Sequence, residues 1–112
     1  MITTHILDVS KGGPASGVPV RLEYFVDSSS WRELGRDVTN VDGRASNLLS
    51  PNANIQEGTY RLTFDTASYF AAQNVDGFYP HVTVAFIVND AKQHYHVPLL
   101  LSPFGFTTYR GS

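Results

Sequence analysis

Apolar and polar positions alternate with a period of two along much of this chain, which is the mark of half-buried β-strands. Val18 to Val26 shows it best: Val18, Val20, Leu22, Tyr24 and Val26 alternate with Pro19, Arg21, Glu23 and Phe25. Thr4 to Val9 puts His5, Leu7 and Val9 on one face, and Trp31 to Thr39 carries a solvated face of Arg32, Glu33, Arg36 and Asp37. Further strands are predicted over Arg44 to Leu49, Gly58 to Phe64, Val82 to Val88, from His94 onward, and over Gly105 to Tyr109. Gly, Pro, Ser, Asn and Asp gather between these runs. Asn40-Val-Asp-Gly43 in particular is a hairpin signal. The period changes only over Asp65 to Asn74, where Ala67, Ala71 and Ala72 follow a capping Asp65 or Thr66, so one short helix is predicted.

About eight short strands and one helix predict an all-β, antiparallel β-sandwich, built as one domain over residues 1–112. A chain of this length can bury roughly 65% of its unfolded surface, enough for a core without covalent staples. Val82 to Val88 is apolar on nearly both faces, since Thr83, Ala85 and Ile87 make a poor solvated side. In so small a protein this predicts that a second subunit covers one face. The strand after His94 divides more sharply. Tyr95, Val97, Leu99 and Leu101 need a core, while His94 and His96 point the other way, toward water, a partner, a metal or a substrate.

Composition narrows the classes. There are no cysteines, which excludes disulfides and thiolate metal sites. Eight basic and ten acidic residues, net −2, are spread without a basic patch, so no nucleic-acid partner is expected. The first residues, Met1-Ile-Thr-Thr-His5, carry no charged n-region and no long apolar run; no membrane span is expected and the expected location is cytoplasmic.

The four histidines are His5, His81, His94 and His96. A strand histidine is ordinarily a hydrogen-bonded surface or interface residue. His5 and His96 are also candidates for proton transfer near neutrality. His94-x-His96 admits a zinc reading if a third ligand comes from elsewhere, but no carboxylate lies in that strand. Arg44, just after the Asp-Gly turn, is either a solvated arginine or a fixed guanidinium for a planar anion or an oxyanion, and Arg110 has the same two readings. There is no nucleophile elbow, phosphate loop or dinucleotide fingerprint.

His5-Ile-Leu-Asp8, Asp42-Gly43-Arg44, His94-Tyr-His-Val-Pro-Leu-Leu-Leu-Ser102 and Tyr109-Arg-Gly-Ser112 resemble the 5-hydroxyisourate hydrolases, the transthyretin-related proteins of purine catabolism. The likeness runs the length of the chain. It implies a transthyretin-like, two-sheet sandwich and a homotetramer, a dimer of dimers, with sites at the dimer–dimer interface. It implies hydrolysis of the ring amide of 5-hydroxyisourate to 2-oxo-4-hydroxy-4-carboxy-5-ureidoimidazoline, with no metal and no cofactor. The resemblance carries catalytic roles onto His5, Arg44, His96 and Ser112, and substrate binding onto Tyr109, Arg110 and Gly111. The chain departs from the family at Phe104 and Phe106, where tyrosines near the site are usual, at Pro80-His81, and in the Gly12-Gly13-Pro14 loop. Two rival classes stand beside the hydrolase: a non-enzymatic small-ligand carrier of the transthyretin type, and a bare interaction module in which His5, Arg44 and His96 need not converge.

Overall fold

A computed structural model describes all residues, Met1 to Ser112. Nine strands and one helix follow in order: β1 (Ile2–Asp8), β2 (Gly13–Pro14), β3 (Pro19–Asp27), β4 (Ser30–Val38), β5 (Arg44–Ala45), β6 (Gly58–Phe64), α1 (Thr66–Ala71), β7 (Val82–Val88), β8 (Tyr95–Ser102) and β9 (Gly105–Thr108). One sheet runs β2-β1-β8-β9 with β5 also on β1, and the other runs β4-β3-β6-β7. They stack face to face, and the inward residues of each strand meet between them.

The core follows from the alternation. Ile2, Ile6, Tyr95, Val97, Leu99 and Leu101 come from the first sheet; Val20, Leu22, Tyr60, Leu62, Phe64, Val82 and Val88 come from the second. The histidine face of β8 is therefore the outer face of the first sheet. The inward row of β3 slips at a bulge after Leu22, where Glu23 becomes buried and Val26 ends 53% exposed. Glu23 is held there by Arg61, whose Nε donates at 2.8 Å; this bond, outweighing the cost of burial, keeps its carboxyl below the usual range.

The helix starts where its cap lies: Asp65 accepts the amide of Ser68 at 3.1 Å. It buries Thr66, Tyr69 and Phe70 and ends before Asn74, which takes a positive φ of 57°.

Three local features differ from the sequence reading. The Asp-Gly turn is present, with Gly43 at φ 76°, but it makes no hairpin: it carries the chain from β4 in one sheet to β5 in the other. The strand predicted over Arg44 to Leu49 stops at Ala45. The outer edge of β1 is shared by two short segments, β5 at Thr4 and His5 and β2 at Leu7 and Asp8. Beyond Ala45 the chain crosses to β4 and buries Leu48; a Cβ on Gly35 would meet the Leu48 carbonyl oxygen at 1.7 Å, so only glycine allows that crossing. Finally, although every other pairing is antiparallel, β1 and β8 run parallel. Their long connection passes through the whole second sheet, and that connection lets two strands of one sheet point the same way.

Candidate active site

Register assembles the site. β1 and β8 pair Thr3 with His96 and His5 with Pro98, while β1 and β5 pair His5 with Arg44. Residues opposite each other in a sheet share a face, and so do residues two apart along a strand. Thr3, His5, Arg44 and His96 therefore occupy one face, with His94 just ahead of β8. Strand spacing of about 4.8 Å and a rise of about 3.3 Å per residue put the backbones of His5 and His96 about 8 Å apart, within reach of one small substrate.

Each ring has a fixed partner. His5 Nε2 lies 2.8 Å from the carbonyl oxygen of Asp42, in the turn that precedes Arg44. A carbonyl only accepts, so this nitrogen carries the proton and Nδ1 of neutral His5 is left bare. His96 Nδ1 lies 2.9 Å from the Thr3 hydroxyl, and His94 Nε2 lies 3.0 Å from the same oxygen. The two rings stack with centroids 6.4 Å apart at 24°. Arg44 is exposed, and its guanidinium forms no ion pair within the subunit.

Burial lowers the pKa of His96, and the neighbouring Arg44, His5 and His94 lower it further, against an opposing hydrogen bond from the ring to the Thr3 backbone. The lowered pKa favours the neutral ring, the state a general base needs. No three His, Asp or Glu side chains converge in a geometry that could hold a metal ion.

The residues after β9 close one side. The amide of Gly111 donates to the carbonyl of His96 at 2.8 Å, in an antiparallel bridge. A Cβ at Gly111 would meet His96 Cδ2 at 2.6 Å and Pro98 Cγ at 3.1 Å. Glycine is required here because the chain lies directly over the imidazole, and it brings exposed Ser112 to the edge of the site. Arg110 is not brought in. Its guanidinium lies 4.6 Å from the ring centroid of Tyr95, which points away from the histidines, and donates to Gln93 at 2.8 Å. Tyr109 is 55% exposed and borders, with His96, Arg110, Val84 and Ile87, a hollow of about 210 Å³. The widest concavity, about 780 Å³, is on the outer face of the opposite sheet, beside Arg21, Arg61 and His81. It shares no residue with the histidine face.

The sequence reading missed Thr3, which falls one residue before the strand predicted from Thr4, and the Asp42 carbonyl, which no side-chain motif marks. Spacing held a signal for Thr3, because it lies two residues from His5 and so on its face. Phe104 and Phe106 are not near the histidines within the subunit. Phe106 pairs opposite Leu101 and packs edge-on against Tyr79, centroids 5.3 Å apart.

Known proteins share this sequence pattern and this fold. The model of the HIUase/Transthyretin family matches residues 2–111. A probable 5-hydroxyisourate hydrolase of Caenorhabditis elegans is 48% identical over 99% of this chain and 81% of its own length. The mouse 5-hydroxyisourate hydrolase is 46% identical over 99% of this chain and 94% of its own. Among solved structures, the 5-hydroxyisourate hydrolase of Klebsiella pneumoniae superposes with a TM-score of 0.85 at 37% identity, covering 99% of this chain and 98% of that one. Sea bream transthyretin in complex with thyroxine superposes with a TM-score of 0.90 at 32% identity, covering 98% and 93%. By sequence along nearly its whole length, and by fold, the chain belongs to the HIUase/Transthyretin family.

Proposed function

We propose that this protein hydrolyses 5-hydroxyisourate in urate degradation, opening its ring amide with water. The observation that carries this reading is the register that puts His96, His5 and Arg44 on one sheet face. Full-length relatives named for the same activity support it. Water attacks the ring carbonyl while His96, alone or paired with His5, takes the proton. Arg44 orients the planar anion and stabilises the oxyanion, a contribution of about 3–4 kcal/mol for one such donor. The C–N bond then breaks, and the protonated histidine returns its proton to the departing nitrogen. Ser112 contacts the substrate or steadies the histidines, with Gly111 holding it in place, and Tyr109 borders the hollow beside His96; Arg110, turned to Tyr95 and Gln93, has no part in this mechanism.

The fold likeness to sea bream transthyretin leaves room for a ligand carrier, and the His5–Arg44–His96 face favours the hydrolase over it. Freshly made 5-hydroxyisourate, followed by its ultraviolet decay, decides. Decay at the spontaneous rate with enzyme present would overturn the hydrolase.

The same reading includes a homotetramer, a dimer of dimers. β7 and β9 are open sheet edges, Ile87 on β7 is 70% exposed, and the site is an open face in a single subunit. Sedimentation should give about four times 12.4 kDa; a monomer would refute the assembly. The proposed compartment is the cytoplasm. No helix is long and apolar enough to cross a membrane, and cell fractionation tests the location.

A further inference from the structure

We infer that Thr3 and His94 act as positioning residues that set the ring tautomer of His96, so that its Nε2 is the base. This rests on the hydrolase reading above. The Thr3 hydroxyl touches both rings, 2.9 Å from His96 Nδ1 and 3.0 Å from His94 Nε2. A hydroxyl has one proton to give and lone pairs to accept with, and each neutral imidazole has one N–H and one bare nitrogen. Two short contacts to one hydroxyl therefore leave three arrangements: a chain that runs in one of two directions, or a Thr3 that accepts from both rings and turns its own proton aside.

In the first direction His96 Nδ1–H donates to Thr3, and Thr3 donates to bare His94 Nε2. His96 Nε2 then carries the free lone pair, facing away from Thr3. In the second direction His94 Nε2–H donates to Thr3, and Thr3 donates to His96 Nδ1. The proton of neutral His96 then sits on Nε2, and the ring has no base to offer. Hydrolysis excludes the second direction, and of the other two arrangements only the first gives the Thr3 proton an acceptor among these rings. It also needs no rearrangement during turnover: when His96 Nε2 takes a proton from water, its Nδ1–H bond to Thr3 stays in place.

His94 thereby gains a task although it need not touch the substrate. It is the acceptor that pulls the Thr3 proton away from His96. The charged and titratable groups around His96 are Arg44 from β5, His5 from β1 and His94 itself. In the segment after β9, Gly111 and Ser112 have no ionisable side chain, and Arg110 is turned to Tyr95.

The test is the imidazole nitrogen spectrum of ¹⁵N-histidine-labelled protein at pH 8, read beside kinetics. Wild type should show His96 protonated on Nδ1 with bare Nε2, and His94 with bare Nε2. Thr3→Val keeps the shape and removes the hydroxyl. It should move the His96 proton toward Nε2 and lower kcat about tenfold or more, as partial loss of a general base requires, with KM within about twofold and an unchanged melting temperature. Thr3→Ser should keep both spectrum and turnover. His94→Gln, whose amide oxygen can accept from Thr3, should keep kcat within a few-fold, whereas His94→Leu should behave like Thr3→Val. A wild-type His96 protonated on Nε2, wild-type kcat in Thr3→Val, or Thr3→Ser as impaired as Thr3→Val would each overturn the inference. The spectra need no substrate, so a failure of the hydrolase reading and a failure of this one are seen separately.

Discussion

Gly111 lies across His96: its amide donates to the His96 carbonyl at 2.8 Å, and a methyl group in its place would sit 2.6 Å from the ring. Gly111→Ala must then push either the imidazole or the last residues aside. The segment is at the surface, so folding should hardly notice, while a displacement of about 1 Å at a reacting group can cost about a hundredfold. The expected result is a kcat/KM reduced about tenfold to a hundredfold with a melting temperature close to wild type. Wild-type kinetics would show that the segment has no part in placing His96.

Arg44 should not be replaceable by lysine. Its planar fork can meet two substrate oxygens at once, which an ammonium cannot. Arg44→Ala should lose about a hundredfold or more in kcat, the scale of one oxyanion donor, and Arg44→Lys should recover only part of it. Steady-state kinetics on both variants check this; full activity in the lysine variant would reduce Arg44 to a point charge.

The same pair sets the pH profile. His96 lies below its ordinary 6.5 in the folded protein, first through burial and then through Arg44, His5 and His94. The acid limb of kcat/KM should therefore fall below pH 6.5, with activity holding as pH drops through that value. Arg44→Ala removes one lowering charge, so its acid limb should move up toward 6.5. A wild-type limb above 6.5, or no shift in the variant, would show that another group controls the rate.

How much of this could be read from the chain alone depends on the kind of information involved. β6 runs over the residues the alternation predicts and β7 over the apolar run Val82–Val88, because each side chain reports its own environment. β5 is shorter than the strand predicted over Arg44 to Leu49, because its end is fixed by the fit of Leu48 over Gly35, a contact between segments. The site divides in the same way. His5, Arg44 and His96 carry recognisable chemistry, but only the parallel register of β1 on β8 puts them together, and those strands are some ninety residues apart. Arg110 stands next to Gly111 in sequence yet faces Tyr95, because one step along an extended chain reverses the side-chain direction.

Ile87 tests the assembly. It stands on open edge strand β7, 70% exposed, beside the hollow that reaches Tyr109 and His96. Ile87→Lys would bury an ammonium in any subunit contact there, at a cost that a pairing edge does not tolerate. Sedimentation should show smaller species at concentrations where wild type is assembled, and activity should fall with it. An unchanged mass would remove β7 from the interface.

Asp8 and Tyr69 supply a prediction about stability that leaves the chemistry untouched. Asp8 ends β1 with only 1% of its surface exposed, and Tyr69 from α1 donates to it at 2.7 Å. Burial raises the Asp8 carboxyl, but bonds from Ser10, Tyr69 and the Lys11 amide outweigh it and hold the carboxyl below 3.8. The partner responds in the opposite sense: burial and the bond to Asp8 push Tyr69 from 10.0 up to about 12. A depressed acid contributes stability above its unfolded value that is lost as pH falls through the folded one. A raised phenol contributes stability below pH 10 that is lost as pH rises toward 12. Tyr69→Phe leaves a buried carboxylate short of one donor, a cost of about 1–3 kcal/mol. Urea unfolding at matched protein concentration should show that gap in full near pH 7, narrower below pH 4, and narrower again above pH 10, with kcat unchanged throughout. A gap of constant size from pH 3 to pH 11 would mean that Tyr69 matters for its packing alone.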